Sequence, residues 1–282
     1  MTRLVLNADD VGLTLPLSAE AVALRACRAI TDVSLLSVGS AFAESAAGLR
    51  NAGIDTAGVH LCLVGAELPL SAPAQIRSLL RGARFRGSWP SVAVAAASGR
   101  LAVAEVEREW EAQITRVLDA GLRVTHLDGH QHLHLLPSLL PIAIRLARRF
   151  SVPMIRAPRG DDPAGCGGSV SPLSRMRAGL LSRFGHAARR KLRAAGLPEP
   201  PRVLGLAEAG RMTLERWSVL LESLSDAGDF EVALHPGVDD AGTRTLYRWG
   251  YSWAEESAAL RSPELHAAFA ARGISTVSFS EL

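Results

Sequence analysis

Four of the chain's eight histidines fall within nine residues, in Thr125-His126-Leu127-Asp128-Gly129-His130-Gln131-His132-Leu133-His134. Three other segments carry matching chemistry: Asn7-Ala8-Asp9-Asp10, Gly58-Val59-His60-Leu61 and Leu234-His235-Pro236-Gly237. Neutral imidazole and carboxylate are the ligands a borderline divalent metal prefers, and three of them around an open position make a catalytic site. The chemistry to expect is metal-assisted hydrolysis.

Each segment has a competing structural reading. Successive side chains of Asp9-Asp10 diverge, so one carboxylate can bind metal while its neighbour faces water; a helix N-cap or Asx turn into Val11-Gly12 is the alternative. A lone strand histidine such as His60 is more often a satisfied core residue, and Cys62, two residues on and on the same face, reads as packing. Four histidines and Asp128 in one short span are harder to explain by packing, because each buried imidazole needs partners; a solvated loop competes. Spacing leaves the ligating histidine open: His130, His132 and His134 share one face of an extended strand, His126 and His130 one face of a helix. His235-Pro236-Gly237 suits a fixed acid or base near neutral pH, or a structural turn. Arg156 can bind an acetate carboxylate or pair with a rim carboxylate. Tyr247, Trp249, Tyr251 and Trp253 alternate with other residues, offering one aromatic face to a sugar ring or packing beneath the rim.

These segments need elements to position them. Strand candidates are 4–6, 33–38, 57–61, 123–127, 153–156, 202–206, 231–234 and 275–279. Between them lie helical patterns such as 103–120, with Val103, Val106, Trp110, Ile114 and Val117 at helical spacing, and a helix starting at Thr213 as N-cap, with Leu214, Trp217, Leu221 and Leu224 on one face. Eight strands alternating with helices predict an α/β fold: a distorted, TIM-barrel-like (β/α) barrel, with a doubly wound open sheet as the alternative. Asp9-Asp10, His60, His130 and His235 all fall at or just after the carboxyl end of a strand, where such folds carry their sites. No repeat or linker divides the chain, so 1–282 is expected to be one domain, with rim insertions at about 66–100 and 160–201.

Ordered along the chain, Asn7-Ala8-Asp9-Asp10-Val11-Gly12, Gly58-Val59-His60-Leu61, the His126–His134 segment and Leu234-His235-Pro236-Gly237 resemble the motifs of the YdjC-type carbohydrate deacetylases. Val11, Cys62 and Gly129 depart from the usual residues, and none removes a proposed ligand. The resemblance implies a distorted (β/α) barrel, one divalent metal ion, and removal of acetyl from an N-acetylglucosamine-type sugar. It implies Asp10, His60 and His130 as metal ligands, Asp9 as base and His235 as proton donor. Zinc is favoured by ligand type, with magnesium as the alternative. Arg156, Trp249 and Tyr251 are the expected substrate contacts. A narrower likeness, through Glu105–Trp110, His132–Pro137 and Trp249–Glu256, is to hopanoid-associated deacetylases, implying a hopanoid glycolipid substrate; a soluble chitooligosaccharide is the alternative.

Composition narrows the rest. A net charge of +3 is too small to argue for nucleic acid, and 48% apolar residues suffice for a sizeable core. Cys27, Cys62 and Cys166 are odd in number and form no CxxC pair, against a disulfide framework or a cysteine zinc site. Leu4-Val5-Leu6 is too short for a signal segment and no apolar run reaches membrane-spanning length, so a cytoplasmic location is expected. Residues 173–193 hold seven basic and no acidic residues interleaved with Leu173, Met176, Leu180, Leu181, Phe184 and Leu192. That pattern fits an interfacial helix on anionic lipid, peripheral at the inner membrane face, or a helix docked on its own barrel. Hydrolysis of another amide or a phosphoester, and a metal-stabilised lipid-binding protein without activity, are the remaining readings. Nothing indicates an oligomeric state, and no nucleophile elbow, P-loop or GxGxxG is present.

Overall fold

The computed structural model describes residues 1–159, 171–224 and 227–282. Among the described residues the strands are β1 (Thr2–Val11), β2 (Asp32–Leu35), β3 (Thr56–Leu61), β4 (Leu80–Arg81), β5 (Arg84–Phe85), β6 (Arg123–Gly129), β7 (Met154–Ile155), β8 (Arg202–Leu204), β9 (Gly228–Leu234) and β10 (Ile274–Thr276). The helices are α1 (Leu15–Ala26), α2 (Phe42–Asn51), α3 (Trp89–Ala97), α4 (Val103–Asp119), α5 (Leu140–Arg149), α6 (Pro172–Ala194), α7 (Leu214–Ser223), α8 (Ala241–Leu246), α9 (Trp253–Arg261) and α10 (Pro263–Ala271).

The main sheet is parallel throughout, in the order β7-β6-β3-β2-β1-β9-β8. β1 pairs with β9 along Thr2–Ala8, so strands from both ends of the chain meet at the centre. The sequence of neighbours is that of a (β/α) barrel, with β7 and β8 as its ends and no ladder between them among the described residues. The barrel is therefore open, which is the expected distortion. β10 pairs with Thr2–Leu4 on the edge of β1 whose upper part, from Asn7, is taken by β2.

Both faces of the sheet are covered, so β1, β2 and β3 are buried almost throughout and lack period-2 alternation. α4 lays Val106, Trp110, Ile114 and Val117 into the core from one face, as its spacing predicts, whereas Val103, in its first turn, is exposed. α7 follows Thr213, which has extended backbone but makes no side-chain capping bond. The last strand is shorter than expected. β10 stops at Thr276 because Ser278 and Glu281 form a capping box that starts a 3-10 turn at Phe279.

The first segment expected to be an insertion holds two short 3-10 turns, the antiparallel β4–β5 hairpin, and α3. Of the second, 160–170, with Cys166, lies outside the described residues. From Pro172 to Ala194 it is one long helix, α6, docked through Ala178, Ala188 and Leu192. Arg189 on α6 donates to the carbonyls of Ala157 and Pro201 and to Glu199, tying the helix to the carboxyl end of β7 and the approach to β8. Cys27 and Cys62 are free thiols. Among the described residues no helix is long and apolar enough to cross a membrane.

Candidate metal centre and active site

The four motifs meet at the carboxyl ends of neighbouring strands. Asp9 and Asp10 close β1, His60 closes β3, Asp128 and His130 straddle the end of β6, Arg156 follows β7, and His235 follows β9. Asp10 sits at φ 60°, a left-handed conformation that a non-glycine residue adopts at a cost of about 1–3 kcal/mol. That turn sends the Asp10 and Asp9 carboxylates in different directions. Leu13 N–H closes it on the Asp10 carbonyl at 3.0 Å, and the Ser18 hydroxyl accepts from Gly12 N–H at 2.8 Å.

Asp10, His60 and His130 form one group. Asp10 Oδ1 lies 2.7 Å from His130 Nδ1 and 3.3 Å from His60 Nε2, and all three side chains are buried. His60 Nδ1 contacts Asp128 Oδ1 at 2.9 Å, which leaves Nε2 as the ring nitrogen facing Asp10. A carboxylate behind a ligating imidazole is the arrangement that fixes tautomer and ring orientation in metal sites. Burial works against charge on Asp10, yet the His130 and His60 imidazoles hold its carboxyl well below the usual range. Burial likewise opposes charge on His60, but Asp128, Asp9 and Asp10 lift it well above an ordinary histidine. The pocket thus calls for positive charge, and one carboxylate oxygen with two imidazole nitrogens is a donor set a divalent cation fits.

Beside this group, Asp9 is clamped. Arg156 Nη1 donates to Asp9 Oδ2 at 2.6 Å and Nη2 to Oδ1 at 2.7 Å, and Asn7 Nδ2 donates to Oδ1 at 2.8 Å. Arg156 also reaches Asp128 Oδ2 at 2.8 Å and Glu231 Oε1 through Nε at 2.7 Å. Of the two roles expected for Arg156, these contacts are those of carboxylate pairing. Its side chain is 0% exposed and its fork is shared among three carboxylates, so it supports the site from beneath. Ser34 on β2 joins the same network, donating to Asp128 Oδ2 at 2.8 Å and accepting from Asn7 at 2.9 Å.

The other histidines separate by environment. His126 is buried between Ser34, Thr125 and a stacked Phe279, and burial pushes it down to about 4. Gly58 makes this possible, because a methyl there would overlap the imidazole. His134 Nε2 donates to the Arg156 carbonyl at 2.9 Å; burial pushes it too down to about 4. His132 and Gln131 form a left-handed pair, at φ 55° and 54°. None of the three joins Asp10, whereas His130 does. Cys62 is held by Gln113, whose amide bonds its N–H and carbonyl at 2.8 Å each, a packing role.

His235 lines a recess together with Asp9, Asp10, Pro236, Trp249 and Trp253. The His235 N–H donates to Glu256 Oε2 at 2.6 Å while Met212 N–H takes Oε1 at 2.8 Å, so α9 fixes the end of β9. Burial raises the Glu256 carboxyl against the pull of His235. The alternating aromatics stand in series: Tyr247–Trp249, Trp249–Tyr251 and Tyr251–Trp253 ring centroids are 4.9, 5.4 and 6.1 Å apart. Trp249 lies 5.6 Å from His130 and Tyr251 4.9 Å from His235, so the row spans the mouth of the site. Tyr247 donates to Glu67 of the first insertion at 2.7 Å.

Glu231 and Glu256 were not legible as site residues. Glu231 looks like one polar position in an apolar strand and Glu256 like one of two adjacent glutamates on a helix; neither has a spacing signal.

An open parallel (β/α) barrel with a buried Asp/His cluster at the carboxyl rim is the class that fold and site define. The chain belongs to the YdjC-like protein family, whose model matches residues 3–271. It is similar to a carbohydrate deacetylase of Mus musculus, 30% identical over 295 residues, covering 99% of this chain and 94% of that one. A Homo sapiens carbohydrate deacetylase is 31% identical over 83% of this chain and 75% of its own length. A Klebsiella pneumoniae chitooligosaccharide deacetylase is 32% identical over 64% and 68%. Among solved structures, an Enterococcus faecalis V583 protein, provisionally described as a cellobiose-phosphate cleavage protein, superposes with TM-score 0.73 at 23% identity, covering 99% of this chain and 98% of that one; it supports the fold.

Proposed function

We propose that the protein, acting as one domain over 1–282, is a metal-dependent carbohydrate N-deacetylase that hydrolyses the acetamide of an N-acetylglucosamine-type sugar. The observation that carries this is the convergence of Asp10 Oδ1, His130 Nδ1 and His60 Nε2, with Asp9 and His235 facing the same recess. Relatives named carbohydrate and chitooligosaccharide deacetylases support it. Asp10, His60 and His130 would hold one divalent ion, zinc by ligand type and magnesium as the alternative. When bound, such an ion polarises a carbonyl and acidifies water toward neutrality.

The chain's own residues then do the proton work. Asp9, its carboxylate plane fixed by the Arg156 fork, takes a proton from the attacking water. His235 gives one to the amine nitrogen as the C–N bond breaks, so amide plus water becomes free amine plus acetate. General acid–base help of this kind is worth about 10²–10⁴-fold. Trp249 and Tyr251, in line across the mouth, offer ring faces to the pyranose.

The finer proposal is that the sugar sits on a hopanoid glycolipid. Its support is α6, where Met176 is 65% and Leu180 42% exposed beside Arg175, Arg177 and Arg183, a surface suited to an anionic lipid interface at the inner membrane face. The test is acetate release from an N-acetylated chitooligosaccharide and from an N-acetylglucosaminyl lipid, with and without chelator. Chelator-sensitive release supports the activity, and preference for the lipid supports the finer reading. No release from either after metal reloading refutes it.

A further inference from the structure

Glu231 lies on β9, four residues before His235, and takes no part in the steps above. Its carboxyl is wholly buried. Oε1 accepts from Arg156 Nε at 2.7 Å and lies 2.5 Å from Nη2, while Oε2 is buried with no hydrogen-bond partner. The same guanidinium clamps Asp9 with its two outer nitrogens and touches Asp128, which in turn holds His60. One cation therefore serves three carboxylates, and it sits between a ligand of the candidate metal centre and the candidate base.

An acceptor on Nε decides the plane of the guanidinium, because that N–H is the donor nearest the chain and turns with the whole fork. Without it the fork can rotate, and the two bonds to Asp9 no longer stay parallel. Two aspartates already exceed the charge of one arginine, so a third buried anion gains little from it. Burial pushes Glu231 up to about 7 against the pull of Arg156, and Oε2 has no hydrogen-bond partner, so Oε1 is the oxygen through which this side chain acts.

We propose that Glu231 is a positioning residue for the reaction: its Oε1, as the acceptor of the Arg156 Nε–H, locks the Arg156 fork in the plane that holds Asp9. The proposal rests on Asp9 being the base. The test uses the full chain, metal-loaded, with three variants assayed for acetate release alongside D9N, metal content per chain and thermal unfolding. E231Q keeps an acceptor in place and is expected to retain most of kcat. E231M removes the acceptor and E231D retracts it, and each is expected to lose about 10–100-fold in kcat, the usual effect of disturbing a group behind a catalytic one, with KM and metal content unchanged. Should E231M fail to fold, the contrast of E231Q with E231D decides alone. E231D as active as wild type, E231Q as impaired as E231D, or a loss expressed in KM or metal content overturns the proposal. Near-normal activity of D9N instead overturns the base assignment, a result distinguishable from an inactive D9N beside a fully active E231D.

Discussion

Replacing Arg156 by methionine gives the sharpest stability test of the buried network. The side chain is fully buried, and Asp9, Asp128 and Glu231 surround its guanidinium within 2.5–2.8 Å. Removing one partner of a buried ion pair costs about 3–5 kcal/mol, because the remaining charge is stranded. For a chain of this size that corresponds to a fall of roughly 6–20 °C in Tm, from about 2–4 °C per kcal/mol. The loss also has a sign in pH. Carboxylates left without their cation take a folded-state pKa above the unfolded value, so R156M keeps most of its stability at acid pH and loses it as pH rises. Thermal unfolding followed by circular dichroism at pH 5 and pH 8 measures both effects. A Tm for R156M within 2 °C of wild type at pH 8, or a deficit larger at pH 5 than at pH 8, would refute the reasoning.

Two further outcomes follow from buried groups away from the metal ligands. Asp32 accepts from Phe279 N–H at 3.0 Å, and burial pushes it up to about 7. Its folded pKa is raised, so its contribution is present below about pH 4 and lost as pH rises to 7, in total about 4 kcal/mol for some three units. D32N should therefore be more stable than wild type at pH 8 and equal to it near pH 4; denaturant titrations showing the reverse order count against a buried, strained carboxylate. G58A should lose about 1–3 kcal/mol, because its methyl overlaps the His126 ring held by Ser34 and Phe279. An unchanged urea midpoint would show that His126 is not fixed there.

The parallel sheet was legible because each of its strands is a short apolar run between loop signals, and its site because polar motifs follow those runs. What the sequence hid has physical causes. β1 was read as ending at Leu6, since Asn7, Asp9 and Asp10 look like a loop; it continues to Val11 because Arg156, Ser34 and His130 satisfy those polar groups inside the protein. The choice among four histidines was open because it depends on the paired left-handed residues Gln131 and His132, which turn the chain immediately after His130. The choice between substrate and carboxylate pairing for Arg156 was open because its three carboxylate partners lie 147, 28 and 75 residues away, and no local pattern reports which pairings form. β7 and β8, with no ladder between them among the described residues, are only 2 and 3 residues long, a feature that runs of apolar residues do not measure.

The central claim is that Asp10, His60 and His130 together hold one divalent cation. Titrating metal-free protein with zinc by calorimetry tests it directly, alongside D10A, H60A, H130A and the flanking variants D9N and H235A. The account predicts one equivalent bound by wild type, D9N and H235A, and none by the three ligand variants. Stoichiometric binding that survives in D10A, H60A and H130A, or no binding by wild type, would contradict it.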